Sequence, residues 1–214
     1  MPSPKPPPAR ETYRHGDLRR ALLEAGIALA RSGGPSAVVL REVTRRAGVA
    51  PNAAYRHFEN QQALLLAVRA SALSAVAQAM EATLAALPAD LAPVEHARAS
   101  VRAVGTGYLR FAQAEPGLFL TAFAKSDRLL QATPEWPTAG PGGRNPYELL
   151  CGAVDLLVQA GVMPAERRPG TEILAWSAVH GLAMLVMDGP LATPVGPHFE
   201  MFGQRLLDMV ERGL

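Results

Sequence analysis

Apolar residues recur at helical spacing along most of this chain. A stripe of this period predicts an amphipathic helix over residues 18–32, with Asp17 as its N-cap. The same criterion predicts a long helix over 60–86 and further helices over 93–115, 117–125, 145–160, 170–187 and 197–212. Strand-like alternation is not convincing at any point, and we therefore predict an all-α fold.

Proline and glycine separate these helices and suggest where the chain divides. The first 12 residues contain five prolines and no apolar period, which predicts a disordered arm at 1–12. The stretch 133–146 is rich in proline and glycine, and we expect a mobile loop there. Residues 13–60 then form a small N-terminal domain, and residues 61–214 form a larger helical body.

The most informative segment runs from residue 40 to residue 58. A short helix is predicted over 40–47, Gly48 can adopt the left-handed conformation of a tight turn, and Pro51 suits the first turn of a second helix that continues to Phe58. This helix-turn-helix pattern can place its second helix in the major groove of DNA. Short helix–glycine–helix segments also occur in ordinary helical bundles, so the spacing alone leaves both possibilities open.

The distribution of charge is consistent with an anionic partner. Residues 1–60 contain 10 Lys/Arg and 5 Asp/Glu, whereas residues 61–214 contain 11 and 14, so a net charge of +5 stands beside one of −3. A basic N-terminal quarter on an acidic body makes nucleic acid the first candidate partner. A solvated basic surface without a partner is the alternative.

Three stretches resemble the N-terminal domain of TetR-family transcriptional regulators: YRHGDLRRALLEAG, LREVTRRAGVAPNAAYRHF and ENQQALL. The stretches EPGLF and AWSAVHGLA are similar to the branch of that family whose ligand-binding domain carries a Trp-x-x-x-His-Gly (WHG) signature. The resemblance implies a helix-turn-helix DNA-binding domain followed by a helical ligand-binding and dimerisation domain. It also implies a repressor that a small-molecule ligand releases from a pseudo-palindromic operator.

The candidate DNA-binding residues surround the second helix of the motif. They are Arg41, Thr44, Asn52, Ala53, Tyr55, Arg56, His57 and Gln61. The resemblance implies that Tyr55 and His57 contact phosphates. The amide of Asn52 can pair with adenine, and Arg56 can donate to guanine or to phosphate.

The sequence departs from the family pattern in three respects. Val38 and Val39 stand where a Ser or Thr commonly precedes the first motif helix, Gln61 replaces a lysine, and Ala54 replaces a larger aliphatic residue. These changes remove a capping hydroxyl and a cation near phosphate, so they bear on DNA affinity more than on the fold. Basic residues of the arm could supply the missing charge; a tail without DNA contact is the alternative.

The helical body contains candidates for a ligand pocket between helices. They are Tyr108, Phe111, Phe119, Phe123, Trp176, His180 and Met184, with Trp136 in the predicted loop. Each could instead be ordinary core packing. Gly181 is expected to allow a close helix approach. The last two predicted helices carry more apolar surface than one chain needs, and the resemblance implies that a homodimer forms through them.

Other classes of protein find little support in the sequence. An enzyme is not expected, because Ser177, His180 and Asp188 lack a nucleophile elbow and no glycine-rich phosphate loop is present. The single cysteine, Cys151, excludes an internal disulfide, the histidines lack metal-ligand spacing, and no cofactor is expected. No apolar run reaches about 18 residues and no secretory signal is evident, so we expect a cytoplasmic protein that binds double-stranded DNA and no membrane. An all-α protein-interaction module without DNA binding is the alternative.

Overall fold

The computed structural model describes residues 15–124 and 138–213, and the regular secondary structure within them is helical. The α-helices are α1 (His15–Gly33), α2 (Leu40–Arg46), α3 (Pro51–Ala54), α4 (Gln61–Ala85), α5 (Pro93–Ala114), α6 (Pro116–Ala122), α7 (Pro146–Gln159), α8 (Thr171–Met187), α9 (Ala192–Val195) and α10 (Phe199–Gly213). Short 3-10 turns lie at Pro35–Ala37, Ala165–Arg167 and Gly196–His198. The all-α prediction is confirmed.

Most predicted helices begin and end within two residues of the observed ones, and a capping side chain explains where two of them, α4 and α7, begin. The Asn60 side chain accepts a hydrogen bond from Ala63 N and starts α4, while Asn145 accepts from Glu148 N and starts α7. Each asparagine satisfies a backbone N–H that has no partner within its own helix. These residue types mark helix starts in the sequence itself, so the boundaries follow without tertiary information.

Four predicted boundaries are wrong, one of them the end of α6, which lies at Ala122 and not at residue 125. Helix α1 begins at His15, so Asp17 lies inside the first turn and is not the N-cap. Acidic residues are favoured throughout the first turn of a helix, so the residue type alone does not distinguish the N-cap from the first turn. Helix α3 ends at Ala54, because a turn at 55–57 carries Phe58 into the core. The predicted break at 188–197 contains α9, whose proline lies in the first turn, where no helical N–H is needed.

Helix α4 is the central helix of the molecule and packs against α1, α5, α6 and α7. The length and apolar composition of α4 would suffice for a membrane span. Helix α8 and the segment from Ala192 to Gly213 would also suffice together, but a bend of 102° separates them. The search for an unbroken apolar run missed α4 because Arg69 interrupts it. Half of the most apolar part of α4 is buried, which identifies it as a core helix. Arg69 itself is 5% exposed and donates from Nε to the Ala122 carbonyl at 2.9 Å.

Two glycines allow α5 to approach its neighbours closely. A Cβ at Gly107 would lie 2.6 Å from the Ala79 carbonyl oxygen on α4, and a Cβ at Gly105 would lie 2.3 Å from Cδ2 of Leu207 on α10. The predicted close approach at Gly181 is wrong among the described residues, since a Cβ there would have no neighbour within 4 Å. Gly181 is half-buried on α8 and adjoins open space rather than a crossing helix.

The described end of the predicted loop is held against α4. Ser74 Oγ donates to the Ala139 carbonyl at 2.6 Å, and Gly142 N donates to both carboxylate oxygens of Glu81 at 3.1 and 3.3 Å. The rest of the predicted mobile loop, including Trp136, lies outside the described residues, as does the predicted arm at 1–12. Residues 138–145 therefore give one side of the helical body a defined surface.

Candidate functional site

The helix-turn-helix segment has the backbone geometry that its sequence predicts. Gly48 adopts a φ of 70° between α2 and α3, and Val49 N donates to the Thr44 carbonyl at 3.0 Å. Glycine reaches a positive φ without the Cβ strain that other residues incur. Pro51 occupies the first turn of α3, so its missing N–H costs the helix no hydrogen bond.

One side of this segment is buried and fixes which side is left for a partner. Leu40, Val43, Ala54 and Phe58 are at most 7% exposed and belong to the same core as Leu22 of α1. Phe58 is therefore a core side chain, as the sequence predicts. Burial of this apolar side anchors α2 and α3 on α1 and leaves their other side to solvent.

The solvent side carries most of the predicted DNA-binding residues. Tyr55 is 56% exposed, although it is a large aromatic residue. The remaining members are also exposed or half-buried: Arg41, Asn52, Ala53, Arg56, His57 and Gln61. They come from α2, α3, the turn after α3 and the first turn of α4, and together they define what we call the α3 surface.

Thr44 is the predicted DNA-binding residue that does not reach this surface. Its side chain is 1% exposed, and Oγ1 donates to the Arg41 carbonyl at 2.9 Å. A threonine inside a helix commonly bonds the carbonyl three or four residues earlier, and here burial beside Val43 favours that conformation. The hydroxyl is thus unavailable to a partner, and Thr44 drops out of the candidate surface.

An ion pair covers part of the positive charge on α2. Arg45 donates from Nε to Oε2 of Glu42 at 2.8 Å, and its Nη2 bonds the other carboxylate oxygen. The hydrogen bond from Arg45 holds the pKa of the Glu42 carboxyl below its usual value. Arg45 is therefore engaged within its own helix, whereas Arg41 and Arg56 stand on the α3 surface.

A cavity opens inside the helical body, with about 80 Å³ for the centres of water-sized molecules. Helices α4, α5, α7, α8 and α10 line it together with Phe123, and we call these residues the helical wall. They are Leu73, Met80, Val101, Val104, Gly105, Tyr108, Phe123, Pro146, Tyr147, Leu150, Ala175, Trp176, Val179, Leu207 and Val210. Thr138 and Asn145 add a polar rim from the loop before α7. The volume is enough for several waters or for part of an apolar ligand.

A hydrogen-bonded chain of three side chains connects α5 and α8 at this cavity. The indole Nε1 of Trp176 donates to the Tyr108 hydroxyl at 3.3 Å, and Tyr108 Oη lies 2.7 Å from His180 Nδ1. Burial raises the pKa of the Tyr108 hydroxyl and lowers that of the His180 imidazole. Both groups are therefore neutral near pH 7. Phe119 and Phe123 pack around them, with ring centroids 5.0 Å apart.

The predicted pocket residues divide into two sets. Tyr108, Phe123 and Trp176 line the cavity. Four others lie outside its lining: Phe111, Phe119, His180 and Met184. Phe119 is fully buried, and Phe111 is 8% exposed, so both are core residues of α6 and α5 in this conformation. His180 contributes indirectly through its bond to Tyr108.

Sequence reasoning missed Tyr147, which lines the cavity from α7. Its hydroxyl donates to Oε1 of Glu172 at 3.0 Å, and Arg168 Nη1 donates to the other carboxylate oxygen at 2.6 Å. Burial, with help from the bond to Glu172, raises the pKa of Tyr147 to about 12. The capping sequence before α7 could have signalled its position, but only the packing of α7 against α8 brings Tyr147 to Glu172.

Six large apolar side chains remain exposed on α8 and α10, and we call them the dimer face. They are Ile173, Leu174, Leu185, Met201, Phe202 and Met209, with Leu174 at 71% and Met209 at 62% exposed. Val186 and Phe199, on the same two helices, are at most 4% exposed, because they pack within the chain. Exposed apolar surface of this kind marks an interaction site more often than a monomer surface.

Metal binding finds no support in the described part of the chain. Across residues 15–124 and 138–213, no group of three or more His, Cys, Asp or Glu residues is placed to hold an ion. Cys151 is a half-buried free thiol on α7.

Several solved structures are similar to this protein over most of its chain. A protein of unknown function from Rhodococcus sp. RHA1 is 26% identical, with a TM-score of 0.73 over 96% of this chain and 99% of that one. The transcriptional regulator FadR from Bacillus subtilis, in complex with stearoyl-CoA, is 13% identical, with a TM-score of 0.63 over 91% and 98%. A TetR family transcription regulator from Marinobacter aquaeolei VT8 is 24% identical, with a TM-score of 0.58 over 89% and 94%. No curated protein matches the chain.

Two family models match the chain in the order of its two candidate sites. Residues 22–68, which hold the helix-turn-helix segment, match the bacterial regulatory proteins of the tetR family. Residues 101–210, just over half of the chain, match the tetracyclin repressor-like C-terminal domain. The second match contains most of the cavity and the dimer face. The chain therefore belongs to the TetR family of DNA-binding transcriptional regulators.

Proposed function

We propose that this regulator is a cytoplasmic homodimeric repressor that a small-molecule effector releases from a pseudo-palindromic operator. The observation that carries the proposal is the combination, in one chain, of an exposed α3 surface on a buried apolar base and a cavity inside the helical body. Helix α4 belongs to both, since its first residue stands on the α3 surface and Leu73 and Met80 line the cavity. A single rigid helix can thus connect an effector to DNA.

On the operator, the α3 surface divides the work between phosphates and bases. Tyr55 and His57 contact phosphates, and Arg41 and Gln61 extend that contact on either side of α3. Asn52 and Arg56 are placed to reach base edges, with the methyl group of Ala53 beside them. Affinity then depends chiefly on the phosphate contacts and sequence preference on the base contacts.

Release by an effector needs a mechanical connection between the cavity and the N-terminal domain. Helix α6 supplies one besides α4, because Phe123 at its end lines the cavity while its start lies on α1. A Cβ at Gly117 would lie 2.4 Å from the Arg31 carbonyl oxygen, and Arg31 Nε donates to both carboxylate oxygens of Glu115 at 2.8 and 3.1 Å. An effector that displaces Phe123 would move α6 against α1, provided that it binds the two states unequally.

Dimerisation through the dimer face would present two α3 surfaces to one duplex. Ion pairs hold α10 on α5 from the other side: Arg102 bonds Asp208, and Arg98 lies 3.3 Å from Glu211. The apolar side of α10 is thereby left for a second chain, together with α8. A two-fold pair of this kind matches a pseudo-palindromic site.

The chemical class of the effector and the WHG branch stay predictions at this point. Trp176, His180 and Gly181 form the stretch that resembles the WHG signature, and Trp176 lines the cavity. The FadR relative is in complex with stearoyl-CoA. At 13% identity, this relative adds nothing to the argument for an apolar ligand, which rests on the apolar lining of the cavity.

A mobility-shift assay with the DNA upstream of the protein's own gene tests the proposal. We expect a specific complex of one dimer per site whose affinity falls at least about tenfold between 50 and 200 mM salt, as multiple phosphate contacts require. Arg56→Ala should weaken it. Arg110→Ala, an exposed arginine on α5 with only a 3.7 Å pair to Glu200, is the charge-matched control and should leave binding unchanged. Equal binding to unrelated DNA at all salt concentrations would refute a specific repressor.

A further inference from the structure

The helical wall of the cavity is almost entirely apolar. Of its residues, only Tyr108, Tyr147 and Trp176 carry polar hydrogen-bonding atoms in their side chains. These three side chains bring three protons to the wall: two phenolic O–H groups and one indole N–H. The destination of each proton decides which ligand groups the wall can satisfy.

Two of these protons are engaged in the chain between α5 and α8. The Trp176 indole can only donate, and it donates to the Tyr108 oxygen at 3.3 Å. The three side chains form one continuous series of donors when Tyr108 in turn donates to His180 Nδ1, 2.7 Å away. This assignment places the imidazole proton of the neutral histidine on Nε2. Tyr108 then has no proton left for a ligand.

The third proton is engaged at α7. Tyr147 donates to Oε1 of Glu172 at 3.0 Å, and Arg168 donates to Oε2 of the same carboxylate at 2.6 Å. Partial burial opposes ionisation of Glu172, but the hydrogen bonds from its own backbone N–H, Tyr147 and Arg168 outweigh it and lower the pKa of the carboxyl. An ionised carboxylate accepts only, so Tyr147 must be the donor.

The wall side chains can therefore accept hydrogen bonds but cannot donate them. Each phenolic oxygen has two lone pairs and keeps accepting capacity after its own proton is used. In the described residues, no fully buried side-chain N or O atom lacks a hydrogen-bond partner. A ligand acceptor placed here would meet lone pairs.

We propose that the cavity selects a neutral, mainly apolar molecule that carries a hydroxyl or neutral N–H group and presents it as a donor to Tyr147 or Tyr108. The effect of such a molecule on DNA rests on the proposed function, whereas its binding does not. A ketone, ester or ether of the same size lacks the donor, and its oxygen finds no partner on the helical wall, since the donors of the described lining, Thr138 and Asn145, lie in the loop before α7. Such a loss costs more than an absent hydrogen bond, since the group has also left water.

The charge of the described lining residues also favours a neutral ligand. None of the described lining residues is Asp, Glu, Lys, Arg or His, and the ion pair of Glu172 and Arg168 lies behind the phenol of Tyr147. Moving an ionised carboxylate from water into an apolar site without a partner is strongly unfavourable. A fatty acid anion should thus bind more weakly than the alcohol of equal length.

Calorimetric titration of the full-length protein with three matched ten-carbon probes tests this inference. The probes are decanol, the methyl ketone of equal carbon number and decanoate. We expect decanol to bind at least about fivefold more tightly than the ketone, which corresponds to one neutral hydrogen bond, and decanoate to bind most weakly. Equal or tighter binding of the ketone or decanoate overturns the inference, and so does the absence of binding by all three.

Two isosteric variants locate the acceptor. Tyr147→Phe and Tyr108→Phe each remove one phenolic oxygen and keep the ring. We expect one of them to weaken the binding of decanol about two- to tenfold and to change the affinity for the ketone by no more than about twofold. Thermal unfolding of each variant confirms that it is folded. If decanol keeps its preference in both variants, the acceptor lies elsewhere and the inference fails.

Failure of the proposed function is distinguishable from failure of this inference. Decanol that binds with the expected preference but does not release the protein from its operator contradicts effector-controlled repression and leaves the ligand class standing. Release of DNA by decanoate or the ketone, in preference to decanol, contradicts the ligand class and leaves effector-controlled repression standing.

Discussion

At the residue scale, the helix-turn-helix segment lacks the side chains that usually cap helices. Val39 is the N-cap of α2 and Ala50 that of α3, and neither offers a side-chain acceptor to the first N–H groups. The longer helices α4 and α7 instead begin at capping asparagines, Asn60 and Asn145. Val39, which departs from the family pattern, is thus the N-cap residue itself. Both motif helices depend on burial against α1 rather than on their own ends.

Restoring the cap should stabilise the protein. Val39 is 42% exposed with φ of −104° and ψ of 129°, a conformation that threonine adopts readily, so Val39→Thr should raise the free energy of unfolding by about 0.5–1 kcal/mol. Urea unfolding measures it. The adjacent Val38 is fully buried, and Val38→Thr should lower the same quantity by about 1–3 kcal/mol by burying a hydroxyl. Equal effects of the two substitutions would contradict the capping argument.

Base recognition by Asn52 is also a prediction at this scale. Asn52→Ala should lose about 1–3 kcal/mol of discrimination at one base position of each half-site and little elsewhere. Tyr55→Phe, which removes a predicted phosphate contact, should instead weaken binding to all operator variants alike. Competition binding across single-base operator variants separates the two patterns. If Asn52→Ala lowered the affinity for all operator variants equally, this would argue against base recognition by that side chain.

At the element scale, the crossing of α4 and α5 depends on the absence of a side chain at one position. Gly107 faces backbone atoms of α4, with Met80 Cα 2.7 Å from where a Cβ would stand. Backbone cannot move aside as the end of a side chain can. Gly105 is different, because its nearest neighbour is a terminal methyl of Leu207. The packing of α4 against α5 is therefore set at Gly107.

The same substitution, glycine to alanine, should change the free energy of unfolding in opposite directions at two positions. Gly107→Ala should lower the free energy of unfolding by about 1–3 kcal/mol, because the α4–α5 crossing must open. Gly181→Ala on α8 meets open space within the described chain and should raise it by up to about 1 kcal/mol through helix propensity. Denaturant unfolding of the pair is the measurement. A destabilising Gly181→Ala would indicate a neighbour from a second chain.

At the scale of the whole molecule, family membership decides between the classes that composition left open. TetR-family proteins are DNA-binding regulators and not enzymes, which confirms the exclusion of an enzyme and sets aside the interaction module without DNA binding. The distribution of exposed apolar residues then becomes informative. Six of the ten large apolar side chains exposed in the described residues lie on α8 and α10.

A charge on the dimer face should separate the proposed homodimer. Leu174 is 71% exposed, so Leu174→Glu should leave the fold of one chain intact but place two carboxylates in an apolar interface. We expect sedimentation to show a monomer and operator affinity to fall at least about tenfold. Leu66→Glu, a 37% exposed leucine on α4 outside the dimer face, is the matched control and should remain dimeric. A dimer that survives Leu174→Glu would place the interface elsewhere.

The sequence by itself determined the elements and the motif. Helix boundaries follow from local signals such as Asn60 and Asn145, and the turn follows from Gly48, because capping and backbone conformation involve only neighbouring residues. Periodicity likewise predicts which face of each helix is apolar. The small motif at 40–58 is therefore visible in the sequence almost in full, apart from the length of α3 and the burial of Thr44.

Tertiary structure alone decided which apolar residues are core, cavity or exposed surface. Phe111, Phe119 and Phe123 look alike in the sequence, yet only Phe123 lines the cavity. Tyr147 gains its role from Glu172, 25 residues away, and Gly107 rather than Gly181 marks the close helix crossing. Such outcomes depend on how separate helices pack, and hydrophobic burial is non-directional, so no local pattern of residues specifies them.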